Sequence, residues 1–299
     1  MKTFGTPAPY HQLLSWASGL KSVRIGQVGL SVAELVLPSL APAWPEAPGE
    51  AVVIPGTTIP DWGQVGTVPG RFGRPTSSAV VPKVSAVLIL HGANGVDGRG
   101  AFYAAALQEA GIATLEITMF PPGRSPRAGL KATMPHAAAA LTWLAAQPTV
   151  DGDRLGVMGF SYGGMMAVYL ASELVQERLG KEVPAPAAFA PLYPVCSEIA
   201  KRVVSPQHPF YNTYLRMRAV PMLIQVGTYD ALEEGERPCD PLISTWPTAA
   251  RELTTVRYFE AATHAFDAQT LMVNVRPNAK DAAAAREAVV SFFVKYLTP

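Results

Sequence analysis

One stretch constrains this chain more than any other: Leu155-Gly156-Val157-Met158-Gly159-Phe160-Ser161-Tyr162-Gly163-Gly164. The short apolar run ending at Gly159 reads as a buried strand, and the small residues after Gly164 read as a helix packed against it. Between them lies G-x-S-x-G, a tight strand-to-helix turn with serine at its centre. Such a turn strains the backbone of the serine, and side chains two residues before or after it would collide with neighbouring backbone. Glycine at 159 and 163 removes those collisions. The turn lifts the Ser161 hydroxyl above the sheet, where the Tyr162 amide and the helix dipole favour a developing negative charge. The alternative is a plain turn with chance glycines.

The surroundings match a strand-turn-helix unit in an open α/β sheet. From Ser85 onward, short apolar runs alternate with helical segments, which implies βα units, a largely parallel central sheet and helices on both faces. The predicted strands are residues 86–90, 113–117, 155–159, 187–189, 222–226 and 256–259. The predicted helices are 99–110, 128–146, 163–178, 241–253 and 280–297. The last carries Ala282, Ala285, Val289, Phe293 and Tyr296 on one face. Residues 1–80 are richer in proline and glycine, with β-like runs at 32–37 and 51–54 and turn signals at Pro55-Gly56 and Pro69-Gly70. They read as an N-terminal extension with antiparallel edge strands, and residues 81–299 as the catalytic core of one domain.

Charge narrows the partners. The formal net charge is +1 among 299 residues, without the basic clusters that nucleic-acid binding needs. The apolar stretch 28–40 is interrupted by Ser31, Glu34 and Pro38, too short and too polar to span a bilayer. The opening MKTFGTPAPYHQ has no continuous apolar signal core. A soluble protein is expected, either cytoplasmic or exported with a signal already removed.

A serine hydroxyl attacks carbonyls only when a base takes its proton, so a histidine must come from elsewhere in the chain. Of the five histidines, only His264 follows a late strand, 256–259, which puts it at the same carboxyl edge of the sheet as Ser161. Its bland alternative is a solvated loop histidine. The strand 222–226 runs into Gly227-Thr228-Tyr229-Asp230, bringing the Asp230 carboxylate to that edge, with Asp240 and Asp267 as competitors. The order Ser161, Asp230, His264 is that of α/β-hydrolase triads. His91-Gly92-Ala93-Asn94-Gly95 after strand 86–90 offers the Ala93 amide, with Asn94 as fallback, as a second oxyanion donor beside Tyr162. His91 itself reads as structural, and no G-x-G-x-x-G nucleotide fingerprint is present. Asn94, Met119, Phe120, Tyr193, Tyr229, Trp246 and Phe266 are candidates to line a substrate pocket, though each could equally be core. Arg124 and Arg127 could attract an acidic substrate, or be plain solvated cations.

The ordered set HGANG, GFSYGG, VGTYD and THAF resembles the dienelactone hydrolase family of the α/β-hydrolases over roughly residues 80–299. The resemblance implies the α/β-hydrolase fold and an esterase-type reaction without metal or organic cofactor. Dienelactone hydrolases proper carry cysteine in the elbow where this chain has Ser161, and they lack the His91-Gly92 pair. The likeness is therefore to the serine-bearing esterase branch, with dienelactone itself not the expected substrate. In that fold the strands before Cys196 and Cys239 are neighbours, so the two cysteines lie in adjacent loops, either bonded or as free thiols; a bond would argue for export. The expected activity is hydrolysis of a small or polymeric carboxylic ester or lactone through an acyl-enzyme on Ser161. The alternatives are a serine exopeptidase or amidase, and a non-catalytic binding protein on the same scaffold.

Overall fold

The computed structural model describes residues 47–76, 83–120, 129–268 and 275–299. The run at 32–37 and the arginines at 124 and 127 lie outside them. The centre is an eight-stranded sheet of order β1-β4-β6-β5-β7-β8-β9-β10. Its strands are β1 (Glu50–Pro55), β4 (Thr67–Gly73), β5 (Val84–Leu90), β6 (Ala113–Ile117), β7 (Val150–Phe160), β8 (Ala188–Leu192), β9 (Met222–Gly227) and β10 (Thr254–Phe259). Strands β5 to β10 are parallel; β1 and β4 join antiparallel at one edge. Two short strands, β2 (Thr58–Ile59) and β3 (Gly63–Gln64), form a separate hairpin ladder.

Strand β5 explains the architecture. Its residues Ser85 to Leu90 are all buried, as a strand covered on both faces must be. Ala86, Leu88 and Leu90 enter the core beneath α2 (Gly129–Ala145) and α3 (Tyr162–Leu170). Val87 and Ile89 enter a second core with α1 (Arg99–Glu109) and α8 (Ala279–Leu297) on the opposite face. Helix α8 sits close because β7 offers Gly156 there: a Cβ on it would lie 2.6 Å from the Phe293 ring. Its buried row is Ala282, Ala285, Val289, Phe293 and Leu297, so Leu297 replaces the expected Tyr296, which is exposed. Asn278 caps the helix, its side chain accepting from the Lys280 and Asp281 amides.

Several expected elements change. Pro69-Gly70 is not a turn but the middle of β4. The Pro69 carbonyl accepts from the Thr118 amide just past the end of β6. The nitrogen of the same residue faces the same side, at the last rung of the β4–β6 ladder, so proline there takes no hydrogen bond from the β1 side. The expected helix 163–178 is broken into α3 and α4 (Glu173–Leu179). Ser172 between them is extended, and its hydroxyl donates to the Thr213 carbonyl instead of continuing the helix. The expected helix 241–253 is two short ones, α6 (Cys239–Ser244) and α7 (Thr248–Glu252), separated at Pro247. Helix α5 (Cys196–Val203), unforeseen, buries Cys196, Ile199 and Val203 at helical spacing.

Candidate active site

Ser161 sits at the end of β7 with φ +52°, in the left-handed region that non-glycine residues avoid. A Cβ on Gly159 would lie 2.3 Å from the Gly163 carbonyl oxygen, and one on Gly163 would lie 2.2 Å from the Leu90 oxygen. Both are impossible contacts, so the elbow admits no side chain at either position. The Ser161 amide donates to Leu192 and its carbonyl accepts from Met165, which fastens the turn to β8 and to α3. Gly92 packs directly against the elbow: its own virtual Cβ would be 3.8 Å from Ser161 Cβ.

His264 and Asp230 come from the loops after β10 and β9. His264 Nε2 lies 2.9 Å from Ser161 Oγ, and its Nδ1 lies 2.7 Å from Asp230 Oδ2. An ionised carboxylate only accepts, so Nδ1 carries the proton and the Nε2 lone pair faces the serine hydroxyl. The Asp230 side chain is fully buried and the histidine nearly so; the other carboxylate oxygen accepts from the Leu232 amide. The two loops are stitched together through Tyr229 N–H to Ala262 O and Ala261 N–H to Thr228 Oγ1. Glycine at 227 is required for that approach, since a Cβ would lie 2.1 Å from the Ala262 oxygen.

The loop carrying Asp230 has two further ties. Cys196 and Cys239 are disulfide-bonded, joining the starts of α5 and α6 on either side of it. Glu233 accepts from the Cys196 and Ser197 amides, capping α5 with a carboxylate where Val195, at the cap position, offers none. Cys196, Glu233 and Cys239 also cluster closely enough for a metal, but both sulfurs are spent in the disulfide and the carboxylate is occupied by the helix.

On the other side of Ser161, His91 is buried and pinned at both nitrogens. The Met119 amide donates to Nε2, so the proton is on Nδ1, which donates to the Gly92 carbonyl. Burial holds the imidazole below its ordinary pKa and favours this neutral form. Gly92 O also accepts from the Gly95 amide. With the carbonyl fixed, the trans peptide aims the Ala93 N–H to the opposite side. Tyr162 opens α3, so its N–H has no carbonyl behind it in the helix.

The expected pocket residues separate into groups. Phe120 is half-buried, edge-on to both His91 and Tyr162. Asn94 and Tyr229 are exposed. Tyr193 and Phe266 are fully buried, as are Met119 and Trp246 apart from a few per cent of their surface. These four belong to the two hydrophobic cores, Met119 and Trp246 on one face of the sheet and Tyr193 and Phe266 on the other. A cavity of about 360 Å³ opens away from the triad, between β4, β6 and the loop before α1, lined by Arg71, Asp97, Glu116 and Thr118 among others. Asp240 pairs with Arg237 and Tyr258, away from the histidine. Asp267 is buried and bonded to tyrosines.

The model of the dienelactone hydrolase family matches residues 122–297. The chain belongs to the dienelactone hydrolase family. No curated relative matches it. Among solved structures, esterase 2 of Thermogutta terrifontis, phosphorylated by paraoxon, is 19% identical with TM-score 0.62, covering 85% of this chain and 98% of that one. A dienelactone hydrolase from Anabaena variabilis is 19% identical with TM-score 0.55, covering 83% and 97%. A dienelactone hydrolase-like promiscuous phosphotriesterase from metagenomic libraries is 18% identical with TM-score 0.59, covering 83% and 98%. At these identities the solved structures establish the α/β-hydrolase fold. Within the family, this chain carries serine in its elbow.

Proposed function

We propose that this protein is a serine esterase that hydrolyses carboxylic esters through an acyl-enzyme on Ser161. The observation that carries the reading is the continuous hydrogen-bonded path from Ser161 Oγ through His264 to Asp230. His264 takes the serine proton as Oγ attacks the ester carbonyl, and Asp230 holds the tautomer and stabilises the imidazolium. The amides of Tyr162 and Ala93 receive the oxyanion, and His91 keeps the Gly92–Ala93 peptide turned for that purpose. The histidine then protonates the leaving alcohol, and water, activated by the same base, releases the acid.

Family membership supports a hydrolase, and the names of several structural neighbours support an ester as substrate: one is an esterase described with butyrate bound. Exposed Tyr229 beside Asp230 and half-buried Phe120 beside Tyr162 are the residues we assign to substrate contact, with Asn94 at the rim. We assign the chemistry to residues 81–299. The Cys196–Cys239 bond favours an oxidising compartment. Among the described residues, no helix is long and apolar enough to cross a membrane.

The test is hydrolysis of p-nitrophenyl esters from acetate to decanoate by the wild type, Ser161→Ala and His264→Ala. The reading expects wild-type turnover and loss of about 10⁴-fold or more in kcat for each variant. Full activity in Ser161→Ala would remove it.

A further inference from the structure

The triad does not account for a set of buried polar groups lying under it. Arg99, the first residue of α1, is buried, with its guanidinium forked onto Asp97. Its Nη1 donates to the Tyr193 hydroxyl at 2.9 Å, and that hydroxyl donates in turn to Asp267 Oδ1 at 2.5 Å. Tyr103 Oη donates to the second oxygen, Oδ2, at 2.9 Å. A carboxylate that receives a hydroxyl proton at each oxygen is acting as an acceptor only, which is the ionised form. Burial raises the Asp267 pKa, and Arg99 and the two hydroxyls oppose that rise.

The location of this set sets it apart from an ordinary buried ion network. Asp267 is in the loop that carries His264, three residues further on. Tyr193 follows β8 directly with φ +37°, and its ring edge meets the His264 imidazole with centroids 5.0 Å apart. The Arg99 guanidinium lies over the ring of Phe160, the residue before Ser161, at 5.2 Å. Its Nη2 is 3.1 Å from where a Cβ on Gly92 would be. The set therefore touches the strand that holds the nucleophile, the glycine before Ala93 and the loop that holds the base. Ala261 and Ala265, flanking His264, both have positive φ, so this loop does not rest in its locally preferred shape.

We propose that the Arg99–Tyr193–Asp267 chain is a positioning device that sets His264 against Ser161. The proposal rests on the acyl-enzyme reading above. None of the three is hydrogen-bonded to Ser161 or His264, and Tyr193 meets the imidazole only with its ring. Their contribution is to fix the distance and angle of the Nε2 lone pair, where an error of about 1 Å can cost on the order of 10²-fold in rate. Tyr193 acts twice, with its ring as the surface against which the imidazole rests and its hydroxyl as the link between Arg99 and Asp267.

Tyr193→Phe separates those two parts, since it keeps the ring and deletes the link. The expected result is a kcat for p-nitrophenyl butyrate lowered by about 10- to 100-fold with KM within a factor of about two, and phosphorylation by paraoxon slowed by the same factor. Asp267→Asn should act in the same direction. The double variant should be no slower than the slower single one, because both break one connection. A merely structural role predicts a lower Tm with both rates unchanged, and that result in a folded Tyr193→Phe overturns the proposal, as do losses that multiply in the double variant. If Tyr193→Phe does not fold, Asp267→Asn decides by the same two rates. Ser161→Ala, run alongside, keeps the two readings apart: its activity would strike down the acyl-enzyme, whereas a dead Ser161→Ala beside an undiminished Tyr193→Phe removes the positioning role alone.

Discussion

The two ends of the Ser161–His264 hydrogen bond are held by different physics. The serine end is fixed by backbone sterics within a few residues: a strained φ at Ser161, and glycines whose hydrogens occupy space that no methyl could. The histidine end is fixed by groups scattered over the chain, with sequence separations of 94 for Arg99 and Tyr193, 74 for Tyr193 and Asp267, and 43 for the bonded cysteines. A local device survives or fails with its own few residues. A distributed one can be loosened by degrees, and from several directions.

That contrast is broken most forcefully at the elbow. Gly163→Ala places a methyl 2.2 Å from the Leu90 carbonyl oxygen, and should destabilise the fold by about 3 kcal/mol or more and abolish turnover. Thermal unfolding measures the first and ester hydrolysis the second; an active, equally stable variant would mean that the elbow is not sterically closed. On the distributed side, replacing Cys196 and Cys239 together by serine removes a cross-link of 43-residue separation, with an expected cost of about 2–4 kcal/mol. Denaturant midpoints with and without reductant would register it. Because the bond flanks the Asp230 loop, we expect kcat to fall before the protein unfolds.

A smaller effect is expected where the two devices meet. His91→Phe keeps an aromatic ring but frees the Gly92 carbonyl, and should lower kcat by about 10-fold or more while KM holds, since one oxyanion donor is worth about 10²–10³ when lost entirely. Equal kcat in variant and wild type would leave Ala93 oriented by the Gly95 turn alone. The mildest change lies outside both regions. Burial raises the Glu116 pKa to about 7, so the folded state holds a proton there that the unfolded chain releases near its ordinary carboxylate pKa. Wild-type stability then falls as pH rises from about 4.5 through 7, and Glu116→Gln should match it at pH 4 and exceed it by about 3 kcal/mol at pH 9. A pH-independent difference would show that Glu116 titrates in the fold as it does in the unfolded chain.

Legibility from sequence follows the same division. The elbow can be read directly because its requirements are local: G-x-S-x-G at the end of an apolar run has one comfortable conformation. The central parallel strands β5, β6, β8 and β9 are legible for the same reason, each being a short run buried on both faces. Asp230 and His264 are legible through position, as polar residues just past late strands. What failed was decided at a distance. Pro69-Gly70 has turn chemistry, yet the neighbouring β6 ends where proline does no harm. Ser172 breaks a helical pattern because a carbonyl from Thr213 reaches its hydroxyl. Tyr193 and Phe266 read as pocket aromatics because they follow strands, though they point beneath the site. Arg99, Tyr103 and Glu233 carry no motif at all; the only trace is that Asp267 and Glu233 each stand three residues beyond a triad member.

Labelling tests most directly whether Ser161 is the residue that becomes acylated. The protein is treated with paraoxon until ester hydrolysis stops, digested, and the modified peptide sequenced by mass spectrometry. The account predicts one diethylphosphoryl group, on Ser161, with activity lost in proportion to its occupancy and no labelling of Ser161→Ala. A modification elsewhere that tracks the loss of activity, or undiminished hydrolysis once Ser161 is fully labelled, would contradict it.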